Sequence, residues 1–575
     1  MDKAKKKKSP AVIIIELLVL IFLLALLVFI VKSGMEANLN SKPQDTNTHV
    51  AAPTPEPTPE PTPDPRGLPD FKPHAVEGTE PENLIKMTAI MVDGEKVEDY
   101  ESEYEIRFDL PEKYSEVKGV IGFRGNNGRT SAAYGTADIS SKTLSAVWTA
   151  KTSGLSDADG SYWSGSGWTG QPLIVKWPEA TRKNMTSMYD WAREKKDLTE
   201  VIYATLGGYV YFYELETGEY TRDPLNFGFN FKGAGALDPR GYPILYVGSG
   251  LDSVNGSSRV FVINLIDNSI MFEFGHQENF SLRDWNMFDS SPLVSAETDQ
   301  LIYPGENGLL YIIHLNTEYN EQTGELSVNP DNIVKWKYDS VRAGYAYWLG
   351  FETSASIINN YIFLADNGGL LMCLDLSTLE LMWVQDILDD TNSSPVLDIE
   401  DGHPYIYISP SFHEGWRASY QAEIPVFKID AETGEIVWKT SYDCYTVKEV
   451  SGGVQGTIAV GKNNLSDMIF VSVARTPTAG AGILAALDKQ TGEKVWEKET
   501  AVYSWSSPVD FYDSEGNGYI AYCTFGYSMY LLDGKTGEQL DVIDLGGKIE
   551  ASPAMYGNYL VVGTRAERTC CVKVS

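Results

Sequence analysis

Histidine and cysteine are the scarce residues of this 575-residue chain, with six and five copies respectively. The five cysteines, Cys373, Cys444, Cys523, Cys570 and Cys571, are scattered and odd in number, which excludes a disulfide scaffold and offers no zinc spacing. The histidines form no H-E-x-x-H or H-x3-5-H pattern, so zinc hydrolysis is not indicated. Positive charge is equally short. Lys and Arg number 46 against 79 Asp and Glu, and a formal net charge of -33 repels a phosphate backbone, which excludes nucleic acid as a partner. No G-x-S-x-G elbow stands beside a predicted strand, so an α/β-hydrolase is not in view.

What the chain does have is 43% apolar residues, 33 Tyr, 13 Trp and 51 Gly, a mixture suited to many short strands joined by turns. Five lysines among residues 1–10 precede an almost unbroken apolar run from Ala11 to Val31, roughly 30 Å of helix. That is long enough to span a bilayer. The lysines are expected to stay in the cytoplasm, which makes residues 11–32 a signal anchor at the cell membrane and places the C-terminal head outside. The rival reading is a cleaved signal peptide, whose apolar stretch is usually shorter, at about 7 to 15 residues. Residues 33–83 form a linker in which Pro53 to Pro65 reads PTPEPTPEPTPDP, a polyproline II spacer. Residues 84–143, with TAIMVDGEKVEDY and YEIRFDL, predict a small β-rich collar and lead-in.

Residues 144–575 repeat. The turn pairs Thr217-Gly218, Asp267-Asn268, Thr323-Gly324, Ser377-Thr378, Thr433-Gly434, Thr491-Gly492 and Thr536-Gly537 recur at intervals of 45 to 58 residues. A period near 50 residues marks a propeller or array. The strand before each pair ends near Asp, as in VFKIDAETGEIVWKT, and the strand after it often carries Trp, at 336, 383, 438 and 496. Further upstream lies a small-residue segment such as SSPLVS, TSASII, SSPVLD or ASPAMY, expected to be the inner strand where blades crowd around a channel. The last unit lacks its Trp-bearing strand, and an orphan of that kind, LSAVWTAK, stands at 144–151. Pairing the two closes the ring and removes the open edges. The prediction is an all-β protein, an eight-bladed β-propeller of four-stranded blades closed by an N-terminal strand, with seven blades as the alternative.

The repeat Y-x-LD-x-x-TGE-x-x-W, the SSP-type blade starts and the segment FRGNNGRT at Phe123 to Thr130 resemble those of the pyrroloquinoline-quinone-repeat, or quinoprotein-like, β-propellers, over roughly residues 120 to 575. The resemblance implies the fold more than an activity, because this repeat occurs in quinone-dependent dehydrogenases, in outer-membrane assembly lipoproteins and in many surface proteins. The dehydrogenases of that family carry an adjacent Cys pair beside the quinone, calcium-binding carboxylates and a catalytic Asp. Here the one adjacent pair, Cys570-Cys571, lies in the last blade, and its alternating strand geometry predicts one packed and one exposed thiol.

The loops that enter each inner strand, and those between second and third strands, should surround one mouth of the channel. Trp163, Trp168, Trp285, Phe288, Trp348, Phe351, Tyr503 and Trp505 fall on them. An insertion, PSFHEGWRASY, adds His413, Trp416, Arg417 and Tyr420. Of these, Trp163, Trp168, Trp285, Trp348, Trp416, Arg417, Tyr420 and Trp505 are the candidate ligand-binding residues. Flat rings with polar neighbours suit a glycan or a protein loop, and the competing reading has the same tryptophans filling the funnel. No catalytic or metal-ligating residue and no cofactor is expected. The expected function is a membrane-anchored, extracytoplasmic binding or assembly module at the cell surface, with a cell-wall glycan or surface protein as partner. The alternative is a dehydrogenase using pyrroloquinoline quinone (PQQ) and calcium.

Overall fold

The computed structural model describes residues 67–575 apart from 157–159, 168–169, 415–418 and 449. The basic tail, apolar run and Pro-rich tether expected in the first 66 residues lie outside these. Among the described residues no helix is long and apolar enough to cross a membrane.

The chain builds eight antiparallel blades around a channel, as the repeat predicts, rather than seven. The inner strands are Leu173–Lys176, Ala236–Leu237, Leu293–Ser295, Ser356–Ile358, Val396–Glu400, Ala459–Val460, Val509–Tyr512 and Ala554–Tyr556, which define blades 1 to 8. Blade 4 shows the pattern: Ser356–Ile358, Tyr361–Ala365, Leu370–Asp375 and Leu381–Asp386 run outward in sequence order. Blade 8 takes its outer strand from the other end of the repeat, with Leu144–Lys151 antiparallel to Arg568–Val574.

Each blade is sandwiched between two others, so its middle strands are buried on both faces and read as continuous apolar runs such as YIFLA and MIFVSVA. Outer strands meet solvent and alternate, as in Lys494–Thr500. The core is accordingly eight apolar wedges, one per pair of adjacent blades. This arrangement corrects the expectation for Cys570 and Cys571. Their side chains do point to opposite faces, but Cys570 enters the blade 7–8 wedge and Cys571 the blade 8–1 wedge, and both are buried. A central strand of a propeller blade has no exposed face.

Two repeated contacts explain the motifs. In blades 3 to 8 the small residue that precedes the inner strand links neighbouring blades. The backbone N–H of Ser291 donates to Ser354 Oγ (2.8 Å), Ser354 N–H to Ser394 Oγ (2.9 Å), Ser394 N–H to Thr457 Oγ1 (3.0 Å), Thr457 N–H to Ser507 Oγ (2.9 Å) and Ser507 N–H to Ser552 Oγ (3.1 Å). A larger side chain would separate the strands and leave these buried donors unpaired. At the circumference, the outer-strand Trp of one blade packs on the Thr-Gly turn of the next and donates its Nε1–H there, Trp148 to Leu215, Trp383 to Ala431, Trp438 to Lys489 and Trp496 to Gly534 carbonyls. These tryptophans are structural.

The lower face carries the turns between first and second and between third and fourth strands. The lead-in crosses it. Phe108 pairs with Asn359 and Glu116 N–H donates to Pro239 O (2.9 Å). The hairpin of Ile85–Val92 and Glu95–Val97 extends the outer edge of blade 3 along Asp331–Ser340. FRGNNGRT then fills the channel itself. Buried Arg129 donates to the carbonyls of Phe123 (3.1 Å), Ser291 (2.9 Å) and Ala355 (2.7 Å), tying the segment to blades 3 and 4. Arg124 donates to Pro508 O (2.9 Å) in blade 7, and Asn127 to Ile357 O (2.9 Å) in blade 4. Inner-strand N–H groups of Leu237, Leu397 and Met555 bond backbone carbonyls of residues 121, 128 and 132. The segment is a plug that satisfies the inner strands of blades all around the ring.

Candidate functional site

With the lower end plugged, the accessible end of the channel is the upper mouth, bordered by the blade-to-blade loops and the second-to-third-strand loops. One side of it is aromatic. Loop 341–355 contributes Tyr345, Tyr347 and Trp348, and loop 275–292 contributes Trp285. Their rings form one cluster: Trp285 to Tyr347 at 5.8 Å, Tyr347 to Tyr345 at 6.0 Å and Tyr347 to Trp348 at 4.9 Å between centroids. His413 meets Trp348 edge-on at 5.1 Å. Tyr345 is 64% exposed and Trp285 36%, whereas Trp348 is only 6% exposed and belongs to the blade 3–4 wedge. Arg283 lies under this rim, its guanidinium carbon 5.5 Å from the Trp285 ring and 5.1 Å from that of Tyr347, within cation–π range.

The other candidates are placed apart from this cluster. Half-buried Trp163, on the strand Tyr162–Ser164, has Lys232 Nζ 5.9 Å from its ring. Trp505 packs with Phe525 (5.0 Å) and Tyr503 (6.1 Å), and Arg475 lies 4.3 Å over Tyr503. Tyr420 is 65% exposed. Phe288 and Phe351 are fully buried in the wedges rather than in the mouth. Trp168, Trp416 and Arg417 lie outside the described residues.

Below the rim is a charged floor. Lys232 Nζ stands 3.4 Å from Asp289 Oδ2, and Arg283 donates to Asn367 Oδ1 (2.7 Å) and to Glu306 O (3.0 Å) while lying 3.4 Å from Glu306 Oε1. Asn367 in turn donates to Asp390 Oδ1 (2.7 Å), whose other oxygen accepts from Ser411 (3.2 Å). Burial raises Asp289 to about 6, opposed by Lys232 and reinforced by Glu352. Asp390 rises to about 6 by burial with Glu352 adding to it. Glu306 is pushed well above the usual carboxylate range by burial, then by Glu352 and Asp289. Burial works against the Lys232 ammonium, but Asp289, Glu306 and Glu352 outweigh it and raise its pKa. The floor is thus a nearly buried network of carboxyl, amide, ammonium and guanidinium groups directly beneath the aromatic rim.

These charged residues, with Tyr345 and Tyr347, went unremarked in the sequence. Their signal is positional: Asp289 and Asp390 precede the Ser-Ser-Pro starts by a few residues, and Glu352 precedes TSAS in the same way.

Among the described residues no group of three or more His, Cys, Asp or Glu is arranged to hold a metal ion. The adjacent cysteines are separated into two wedges of blade 8, so no vicinal cysteine pair faces the mouth.

No protein-family model matches the chain. It is 28% identical over 114 residues to a β-alanine-activating enzyme of Danio rerio, a stretch that covers 19% of this chain and 10% of the relative. The chain therefore spans about a tenth of the length of that relative. Among solved structures it is similar to the quinohemoprotein alcohol dehydrogenase ADHIIG of Pseudomonas putida HK5, with a TM-score of 0.52, 11% identity and 80% of each chain covered. For the quinohemoprotein alcohol dehydrogenase of Comamonas testosteroni the TM-score is 0.50 at 12% identity and the same coverage. For BamB of Moraxella catarrhalis it is 0.44 at 14% identity, covering 75% of this chain and 99% of BamB. At these identities the likeness is one of fold, a quinoprotein-like β-propeller.

Proposed function

We propose that this protein is a binding module, held at the cell membrane by its N-terminal apolar run and presenting the upper face of its propeller outside the cell, where the aromatic rim takes a glycan. The observation that carries the reading is the ring cluster of exposed Trp285 and Tyr345 with half-buried Tyr347, set over the guanidinium of Arg283, which pairs with Glu306. Stacked rings bind the apolar face of a sugar while the polar groups beneath meet its hydroxyls. The plug supports this side as the working one, since the lower end of the channel is filled.

A second reading has its own support. Large apolar side chains are exposed around the whole upper rim, among them Tyr162, Val254, Leu282, Val341, Leu388 and Tyr527. Such a ring also suits a protein partner. Thermal-shift titration of the full-length protein with soluble cell-wall glycan fragments tests the first reading, because a ligand of the folded state raises the melting temperature. The shift is expected to disappear in Trp285→Ala/Tyr345→Ala when read against that variant's own unliganded melting temperature. A shift that persists in that variant refutes the aromatic site. No shift with any fragment, together with surface crosslinks through the rim, puts the protein partner in its place.

A further inference from the structure

On the outer flank, away from the upper mouth, a cleft of about 770 Å³ opens between the hairpin strand Ile85–Val92 and the outer strand of blade 4, Leu381–Asp386. Both walls are sheet edges. The hairpin partner Glu95–Val97 pairs only with Ile90, Met91 and Val92. The turn Asp93-Gly94 has both residues at positive φ, which makes Val92 and Glu95 a hydrogen-bonded pair, and by alternation Ile90 and Thr88 face the same side. Strand Glu95–Val97 stops at Ile90, so Thr88 presents its N–H and C=O to the cleft with no strand beside it. Across the cleft, Val384 N–H donates to Thr79 O (2.9 Å), in the turn that precedes the short helix Pro81–Asn83, so one position of that edge is already used. No other strand pairs with Leu381–Asp386 on that side among the described residues.

The lining is apolar at the base and acidic at the rim. Ile85, Met87, Tyr100, Leu381 and Met382 line the cleft, and Met87 is 41% exposed. Glu82, Glu98, Asp99 and Glu380 are exposed around it, and none has a basic partner among the described residues. The single lysine of the lining, Lys86, is already 3.3 Å from Asp339. An open strand edge, a short apolar floor and four unpaired carboxylates are the complement of one ligand chemistry. We infer that this cleft docks an extended, basic peptide segment with alternating apolar side chains, added as a further strand to the blade 3 hairpin. Backbone hydrogen bonds would hold it, side chains of one face would enter the floor, and lysine or arginine on the other would meet the rim.

The test is fluorescence anisotropy on the full-length protein with a labelled alternating Lys-Val nonapeptide. Two control peptides are its Glu-Val counterpart and a Lys-Val peptide N-methylated at alternate amides. The unmodified Lys-Val peptide is expected to bind with a Kd of about 1 to 100 μM, and both controls at least about tenfold more weakly. Glu98→Lys/Asp99→Lys should weaken it about tenfold or more, whereas Glu515→Lys/Glu538→Lys, the same charge change at exposed positions elsewhere, should not. Equal losses in the two double variants would mean general attraction to an acidic surface and would overturn the assignment. So would equal binding of the N-methylated peptide, or no binding up to about 1 mM.

Discussion

Adding one methyl group at Gly434 tests the logic of the blade repeat. This glycine sits in the Thr-Gly turn of blade 5 at φ +74, and a Cβ there would stand 2.7 Å from Cδ2 and Cε3 of Trp383. Trp383 is fully buried and its Nε1–H is fixed on Ala431 O at 3.0 Å, so the ring has nowhere to go. Three contributions set the cost of Gly434→Ala. The left-handed backbone costs about 1–2 kcal/mol with a Cβ, overpacking costs about 1–3 kcal/mol, and the less flexible unfolded chain returns about 0.4–1 kcal/mol. The net is about 1–5 kcal/mol. Over the roughly 500 residues of the head the unfolding entropy is about 1 kcal/mol per degree, so the melting temperature should fall by about 1–5 °C in calorimetry. Gly402→Ala is the matched control, because Gly402 has φ +83 and nothing within 4 Å of its would-be Cβ; it should cost about 1 kcal/mol or less. A double-mutant cycle isolates the ring: in a Trp383→Ala background, Gly434→Ala should cost no more than Gly402→Ala, a coupling of about 1–3 kcal/mol. Equal costs for the two glycines, or additive costs in the cycle, would refute the claim that the turn glycine exists to admit the tryptophan. Gly218 with Trp148, Gly492 with Trp438 and Gly537 with Trp496 repeat the geometry and should repeat the result.

Two further outcomes follow from the plug and the mouth. Arg129→Lys leaves one ammonium where a fork reached three carbonyls on three segments, and should lower stability by about 3–5 kcal/mol; a loss under about 1 kcal/mol in the same calorimetry would show that the plug does not tie the blades together. Asp366, which accepts from Tyr338 Oη at 2.6 Å, is raised to about 7, chiefly by burial. Its folded value lies above its unfolded one, so the stability it contributes is fully present below about pH 4 and is lost as pH rises through 7. Asp366→Asn should therefore flatten the fall in melting temperature between pH 5 and 8 by up to about 3 °C, and superimposable pH profiles for the two proteins would refute this.

The parts of this molecule that were legible in its sequence are the parts that repeat. A Thr-Gly pair is visible because the same Trp ring needs the same missing Cβ in several successive blades, and the Ser-Ser-Pro starts because each second serine bonds the preceding blade through its hydroxyl and the following blade through its N–H. Where the constraint lapses, so does the signal. Blade 4 replaces the Thr-Gly pair with Ser377-Thr378, Leu379 takes the left-handed position at φ +59, and the Nε1–H of Trp336 finds no acceptor among the described residues. The strand Leu144–Lys151 was identifiable because the last blade lacked it, an argument from the period rather than from its own residues.

The mouth obeys no such period, and this is a physical consequence of ring closure. Every blade must present the same wedge faces and the same small inner residue, but each upper loop meets a different pair of neighbours and the shared axis at a different angle. Arg283 reaches Asn367 on the next blade, Asn367 reaches Asp390 on the one after, and Trp285 meets Tyr347, so the floor and rim are made by contacts between loops of different blades. No single loop contains the pattern. Tryptophans drew attention there because large aromatics are conspicuous in a sequence, yet Trp348 proves to be wedge packing while Tyr345 beside it is the exposed ring. The distinction depends on which side of a three-residue turn each ring leaves the backbone, at Ala346–Trp348, and that geometry is fixed by the blades beneath it. FRGNNGRT shows the converse. It occurs once, so no period reveals its role, but its two arginines are fully buried donors, and the carbonyls they serve belong to blades 3, 4 and 7. In the closed ring this single segment bonds the inner strands or blade starts of blades 2, 3, 4, 5, 7 and 8. The loops that do not repeat converge on the upper face, opposite the lead-in, and that is where side chains peculiar to this chain are brought together.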